Sequence, residues 1–267
     1  MVENFLVKKI QNLDELFILF CTATKSPFLI CDEETFDDEV FVFSNEDDAK
    51  REAEKFGAKK YPVAIIKVVK QQINAYISSL HFYGVNAIVF FTGEEKNVIP
   101  LEQFSKKPDI EKLKSDKVPR VNPDLQITSV YFLQEARRKT ERTPEEGKKL
   151  IEMEEEMAVN LFRSRFIVAL HNPGMNSKNL QNKYLKLKVV TIKTKEGDVY
   201  MPCFTDLNEF SRFNAANNNL KYNLMALPYE KLRDFCKDAK GVVVNPNGFN
   251  LVLNDKSFER LNKLYYT

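Results

Sequence analysis

Three segments of this chain return later in the same order, and no other feature constrains the fold as much. Ser26-Pro27-Phe28-Leu29-Ile30 is echoed by Ser164-Arg165-Phe166-Ile167-Val168, and Val42-Phe43-Ser44-Asn45 by Cys203-Phe204-Thr205-Asp206. Gly84 with the apolar run 87–91 is echoed by Gly241 with Val242-Val243-Val244. A tandem duplication accounts for the shared order in one step. With 267 residues, the chain has room for two domains of ordinary size. The copies are expected at 1–121, with a polar, proline-marked connector at 106–121, and at 122–267 with its leading helices.

Each copy opens on a helical pattern. Leu6, Ile10, Leu13, Phe17 and Phe20 form one apolar stripe in the first. In the second, Thr143 caps, Pro144 suits the first helical position and Glu146 closes a capping box, with Leu150, Met153, Met157 and Leu161 as the stripe. Strands follow at 28–31 and 166–170. An alternating strand at 185–189 belongs to the second copy, and the first is expected to be trimmed there.

Strands at 39–43 and 198–204 each run into a helix start, Ser44 with Asp47 and Thr205 or Asp206 with Glu209. Further strands are expected at 63–69 and 220–227, helices at 71–82 and 228–238, and buried strands at 87–91 and 241–244. A turn, a short strand and a terminal helix complete each copy. This alternation predicts an α+β fold, two tandem copies of a mixed β-sheet flanked by helices.

Composition narrows the function classes. The 40 basic and 38 acidic side chains nearly cancel, which argues against nucleic-acid binding. No apolar stretch reaches the ~18–20 residues of a membrane span, so no membrane partner and a cytoplasmic location are expected. Cys21, Cys31, Cys203 and Cys236 form no Cys-x-x-Cys pair and sit in apolar runs. They read as buried thiols of a reducing compartment and give no metal site. No dinucleotide, phosphate-loop or nucleophile-elbow motif occurs, so no cofactor is implied.

Two loops carry the candidate binding residues. Asn245-Pro246-Asn247-Gly248 leaves the carboxyl end of a buried strand, where sheet proteins often place ligands. The same residues also make a tight turn, with proline presetting φ and glycine supplying the return. His171-Asn172-Pro173-Gly174 is the second loop, and Thr205 joins the set from the strand-to-helix junction. A His171–Cys203 dyad lacks an orienting acid, so no catalytic residue is assigned. Glu154-Glu155-Glu156 reads as a solvated helix face, and Arg137-Arg138-Lys139 with Arg142 as surface ion pairing.

Tyr200-Met201-Pro202-Cys203-Phe204-Thr205-Asp206 resembles the strand-to-helix motif of the SseB family N-terminal domain. Val242-Val243-Val244-Asn245-Pro246 resembles that family's late strand and Asn-Pro turn, and Leu227, Leu232 and Phe235 fit the element between. The resemblance covers about 164–264. The first copy departs from it, having no proline in Phe41-Val42-Phe43-Ser44-Asn45 and Thr92-Gly93 in place of Asn-Pro. The resemblance implies a soluble bacterial protein without an established catalytic activity. The resulting expectation is a non-catalytic interaction or regulatory module whose partner is another protein. The alternative is a small-ligand-binding domain or weak hydrolase built on Asn245, Pro246, Asn247, Thr205 and His171.

Overall fold

The computed structural model describes residues 2–109, 113, 118–171, 188–236 and 238–265. The chain forms two compact units, one of Met1–Asp109 with Gln126–Glu154, the other of Ile110–Leu125 with Glu155–Thr267. These units in space differ from the copies read in sequence at 1–121 and 122–267. The connector contributes Val118 to the second unit's core, while most of the helix that follows contributes to the first unit.

The first unit contains α1 (Val2–Gln11), β1 (Glu15–Cys21), β2 (Ser26–Pro27), β3 (Leu29–Cys31), β4 (Asp38–Phe43), α2 (Glu46–Ala58), β5 (Val63–Val69), α3 (Lys70–Ser79), β6 (Ala87–Thr92) and β7 (Glu95–Pro100). The chain continues through α4 (Pro123–Ala136) and α5 (Pro144–Arg163). The second unit then holds β8 (Arg165–His171), β9 (Lys188–Val189), β10 (Ile192–Lys193), β11 (Val199–Phe204), α6 (Leu207–Ala216), β12 (Asn223–Pro228), α7 (Tyr229–Phe235), β13 (Gly241–Val244), β14 (Leu251–Asn254) and α8 (Asp255–Tyr265).

Both units carry a seven-stranded mixed sheet of one topology. In the first, β1 pairs antiparallel with β2, β4 and β5, and β3 with β4. The pair β4–β6 is parallel and β6–β7 antiparallel. In the second, β8 pairs antiparallel with β9, β11 and β12, and β10 with β11. Again one pair, β11–β13, is parallel, and β13–β14 is antiparallel. The duplication is thus written in every pairing.

The expected helical stripe out to Phe20 is overturned: α1 ends at Gln11, and Glu15–Cys21 is strand. This strand is bonded along both edges and buried on both faces, so its apolar positions mimic a stripe without any helical period. The repeat alignment shifts with it. Phe17 and Ile18 lie opposite Phe43 and Val42, as Ile167 and Val168 lie opposite Phe204 and Cys203. Phe166-Ile167-Val168 therefore corresponds to Leu16-Phe17-Ile18, not to Phe28-Leu29-Ile30. Of the strand expected at 185–189, Lys188–Val189 is β9 and 185–187 lie outside the described residues. Its counterpart β2 keeps that element in the first copy.

In the first unit, Phe28, Phe41, Phe43 and Phe91 fill one sheet face under Ala49, Ala53 and Phe56 of α2. Ring centroids lie 4.6 Å apart for Phe43 and Phe91 and 4.9 Å for Phe41 and Phe91. The second unit packs Phe204 against Phe213 at 5.1 Å and Phe210 at 5.5 Å.

Helix α4 clamps the first unit. Gln134 Oε1 accepts from Leu29 N at 3.3 Å, and its Nε2 donates to Leu29 O at 2.9 Å, so one side chain does the work of a neighbouring strand. Tyr131 donates to Asp38 at 2.9 Å, and Arg137 donates to Ala23 O at 2.6 Å. The expected ion pairing of the basic cluster forms, with Arg137, Arg138 and Arg142 half-buried and Lys139 exposed. Arg138 stacks on Tyr61 at 4.9 Å and pairs with Glu135 at 2.8 Å and Glu146 at 2.9 Å. Tyr61 donates to Glu135 at 2.6 Å.

The expected capping box forms: Glu146 N donates to Thr143 Oγ1 at 3.2 Å, and Thr143 N to Glu146 Oε2 at 2.9 Å. Glu154 is buried rather than solvated, because it lies four residues after Leu150 and three before Met157 on the apolar stripe. Cys31 is exposed, at the last position of β3, whereas the other three thiols are buried.

Replacing Gln134 by Ala strands buried backbone groups of Leu29 and is expected to lower stability by about 2 kcal/mol in urea unfolding. An unchanged midpoint would show that the clamp contributes nothing.

Strand β4 opens on two acids, Asp38 and Glu39. Glu39 is 5% exposed. Its carboxyl is pushed up to about 7, first by burial, then by Asp32 and Asp37, against the pull of Lys96. The folded form keeps this proton while the unfolded chain releases it near 4.5. The contribution of Glu39 to stability is therefore full below about pH 4.5 and is lost as pH rises through about 7. Glu39→Gln is expected to flatten the stability profile across that window, as measured by thermal unfolding at several pH values.

Candidate functional site

In each sheet the parallel pair brings two strand ends and a helix start to one place, since parallel strands require a crossover connection. In the second unit the strand ends are those of β11 and β13, and the helix is α6. Asn245 follows β13 with φ 49, the left-handed region. Its N–H donates to Cys203 O at 2.9 Å, and its carbonyl accepts from Gly248 N at 2.9 Å and Asn250 N at 3.0 Å. The amide side chain is fully buried. Oδ1 accepts from Thr205 N at 3.0 Å, and Nδ2 donates to Thr205 Oγ1 at 2.9 Å.

The chain of bonds continues into α6. Thr205 Oγ1 donates to Asp206 Oδ2 at 2.7 Å. Asp206 caps the helix, its Oδ1 accepting from Asn208 N at 2.9 Å and Glu209 N at 3.0 Å. Glu209 is itself buried and takes Arg212 Nη1 at 2.8 Å. Gly248 lies against this acid: a Cβ there would collide with the Glu209 carboxylate, whose Cδ is 3.0 Å away.

The first unit repeats the arrangement. Asn45 caps α2 by accepting from Asp48 N at 2.9 Å, and its Nδ2 donates to Asp48 Oδ2 at 2.6 Å. Asp48 is buried, pairs with Arg51, and accepts from Gly93 N at 3.2 Å. Gly93 has φ +67 and follows β6. Both copies thus share a cap, a buried acid three residues on, an arginine three further and a turn glycine against the acid. The cap expected at Ser44 with Asp47 is one residue early. Aligning Asn45 with Asp206 finds it, because Asp48 then meets Glu209 and Arg51 meets Arg212.

The predicted binding residues divide accordingly. Asn245 and Thr205 are bonded to each other in the interior. Pro246 and Asn247 are half-buried at the turn. His171 is exposed and ends β8, which runs antiparallel to β11, so it lies toward the opposite end of the sheet from Thr205. Its ring centroid is 6.5 Å from that of Tyr222. The rest of its loop, 172–174, lies outside the described residues. Cys203 is fully buried, and burial pushes its thiol far above the ordinary range, which opposes thiolate formation. Among the described residues, no group of three or more His, Cys, Asp or Glu is placed to hold a metal ion, and no helix is long and apolar enough to cross a membrane.

The class defined by this geometry is an α+β protein with two sheets of one topology. Residues 148–257 match the family model described as SseB protein N-terminal domain, so the resemblance seen in the second copy holds. No curated protein matches the chain. Tic22 from Plasmodium falciparum is 14% identical, with 97% of this chain and 96% of that one covered, at a TM-score of 0.23. Anabaena Tic22 (protein transport) is 10% identical, with 99% and 98% covered, at a TM-score of 0.22. Scores and identities this low add nothing on function.

Asn245→Ala removes a partner of buried Thr205 and leaves a side chain other than Gly or Asn in the left-handed region. It is expected to cost about 2–4 kcal/mol in urea unfolding. A loss below about 1 kcal/mol would show that the amide is not a structural tie.

Proposed function

We infer that this protein is a non-catalytic protein–protein interaction or regulatory module acting in the cytoplasm. The observation that supports this most is the use made of the strand-end junctions. In a sheet enzyme these positions present reactive groups to a crevice. Here, in both copies, their side chains are turned to capping a helix and tying two strands together. Thr205 spends its hydroxyl on Asp206 and Asn245, and Asn245 spends both ends of its amide on Thr205. Burial raises the Cys203 thiol, which opposes a nucleophilic role. Four cysteines that form no disulfide are in keeping with a reducing compartment.

The surface proposed to meet a partner protein in the second unit is the turn carrying Pro246 and Asn247. Both side chains are half-buried and stand on the rigid junction beneath, so they are presented with little entropy left to lose. The small-ligand reading has less support, because Asn245 and Thr205 are committed to each other and His171 stands at the other end of the sheet.

Affinity purification of the full chain from its host cells is expected to recover the same partner in repeated preparations. Asn247→Arg is expected to lower that recovery by about tenfold without shifting the thermal midpoint. Repeated purifications with no reproducible partner would overturn the interaction reading. Recovery unaffected by Asn247→Arg would remove this turn from it.

A further inference from the structure

The first unit carries a second exposed feature, far along the sequence from the 245–248 turn. The hairpin joining β3 to β4 reads Cys31-Asp32-Glu33-Glu34-Thr35-Phe36-Asp37-Asp38-Glu39. Its turn is well tied. Asp32 Oδ1 accepts from Glu34 N at 2.9 Å and Thr35 N at 2.8 Å, and Asp32 N donates to Asp37 O at 2.9 Å. Phe36 sits on this turn at φ 59 and is 76% exposed, the most exposed large apolar side chain among the described residues. A rigid turn that holds an aromatic ring out in water keeps apolar area available for contact.

The register places the acids around it. Ile30 lies opposite Glu39 and Cys31 opposite Asp38. Side chains alternate along strands, so Asp37 and Glu39 share one face, and Asp32 and Ile30 stand opposite them on that face. Glu39 is the telling member. It is nine-tenths buried, and its side chain makes no hydrogen bond or ion pair among the described residues. The register sets it across from Ile30, two residues from the acidic turn, and Asp32, Asp37 and Lys96 all act on its charge. From the other face, Asp38 is already taken by Tyr131 of α4, and Tyr131 also feels Glu39. Asp37 receives Asn86 Nδ2 at 3.0 Å, and exposed Glu33 pairs with Lys149 at 3.3 Å. Two strands across from Glu39 stands Pro100 of β7, which is also exposed.

We propose that the Asp32–Glu39 hairpin is a docking surface for a protein segment carrying arginine or lysine beside a large apolar residue. Phe36 supplies the apolar contact. The carboxylates of Asp32, Asp37 and Glu39 receive the cation, with Glu33 and Glu34 at the rim. Charge complementarity selects the occupant: an anionic segment meets repulsion from Asp32, Asp37 and Glu39, and a purely apolar one adds nothing to the pull of Lys96 on Glu39. Glu39 gives the surface a cost before docking and a partner after it. A guanidinium delivered there favours the ionised carboxylate, so docking releases a proton and strengthens as pH rises from about 6 to about 8. This inference extends the interaction reading to another surface and does not depend on the turn at 245–248.

The test titrates the full-length protein into three fluorescein-labelled peptides, followed by anisotropy: one of alternating leucine and arginine, one of serine and arginine, and one of leucine and aspartate. Saturable binding of the leucine–arginine peptide is expected, with at least about tenfold weaker binding of the other two. Phe36→Asn keeps a residue that tolerates the left-handed backbone and is expected to weaken binding by about tenfold. Glu39→Gln is isosteric and is expected to abolish the rise in affinity between pH 6 and pH 8. Unfolding midpoints establish that both variants are folded.

Equal binding of the serine–arginine peptide would reduce the surface to unspecific charge and overturn the proposal. So would leucine–arginine binding unchanged by either variant, or no binding at all. A partner recovered by affinity purification whose recovery is indifferent to Phe36→Asn would likewise overturn this docking surface, while leaving the broader interaction reading in place.

Discussion

The parallel pairing at the middle of each sheet is the constraint on which the rest of the structure depends. Two adjacent strands that run the same way cannot be joined by a tight turn. The chain must leave the first strand, cross over and return, and here it does so through a helix, an edge strand and a second helix. That path puts the amino end of α2 beside the end of β6, and the amino end of α6 beside the end of β13. Both are interior positions, where free N–H groups and strand-end carbonyls need partners. A cap residue, a buried acid and a glycine that lets backbone approach that acid meet the need in both units. The two solutions differ in detail: the first ties Gly93 N to Asp48, while the second ties Asn245 to Thr205.

This economy bears on function. Thr205, Asp206 and Asn245 are, in space, bonded into the fastenings of the fold. Thr205 and Asp206 stand at the strand-to-helix junction of the second unit. Their distances and burial make them a capping chain. The side chains left for outside contact are of another kind: a ring held out on a tied turn, carboxylates beneath it, and a half-buried Asn-Pro turn. Such features suit recognition, in which rigidity lowers the entropy lost on docking.

Much of this was legible in the residues. The capping box at Thr143 and Glu146 follows from local chemistry alone, and so do the buried strands 87–91 and 241–244. The Asn-Pro turn was visible too, as was the SseB-like motif leading into Asp206. Where sequence and structure differ, each difference has its own physical cause. Glu15–Cys21 is buried on both faces, so its apolar spacing carried no period, and it was merged with the helix before it. That merger displaced the first repeat landmark from Leu16-Phe17-Ile18 to Phe28-Leu29-Ile30. The cap at Asn45 was missed by one residue because Ser44 and Asp47 offer the same local signal as Asn45 and Asp48. The repeat alignment with Asp206 and the buried position of Asp48 distinguish them.

Sequence alone determined that there are two copies, that each mixes helices with a buried sheet, and that the chemistry of common enzyme motifs is missing from the residues. These are properties of local pattern, set by periodicity, capping and turn residues acting over a few positions. Tertiary structure decided which strands pair and how the copies correspond. It sent the connector's Val118 to the second core and Gln134 to the first. It also bonded the Asn245 side chain to Thr205, and buried Glu39 while Phe36 stands in water. Those outcomes depend on residues far apart in the chain meeting across a sheet, and pairing register and burial are fixed only when the whole sheet closes.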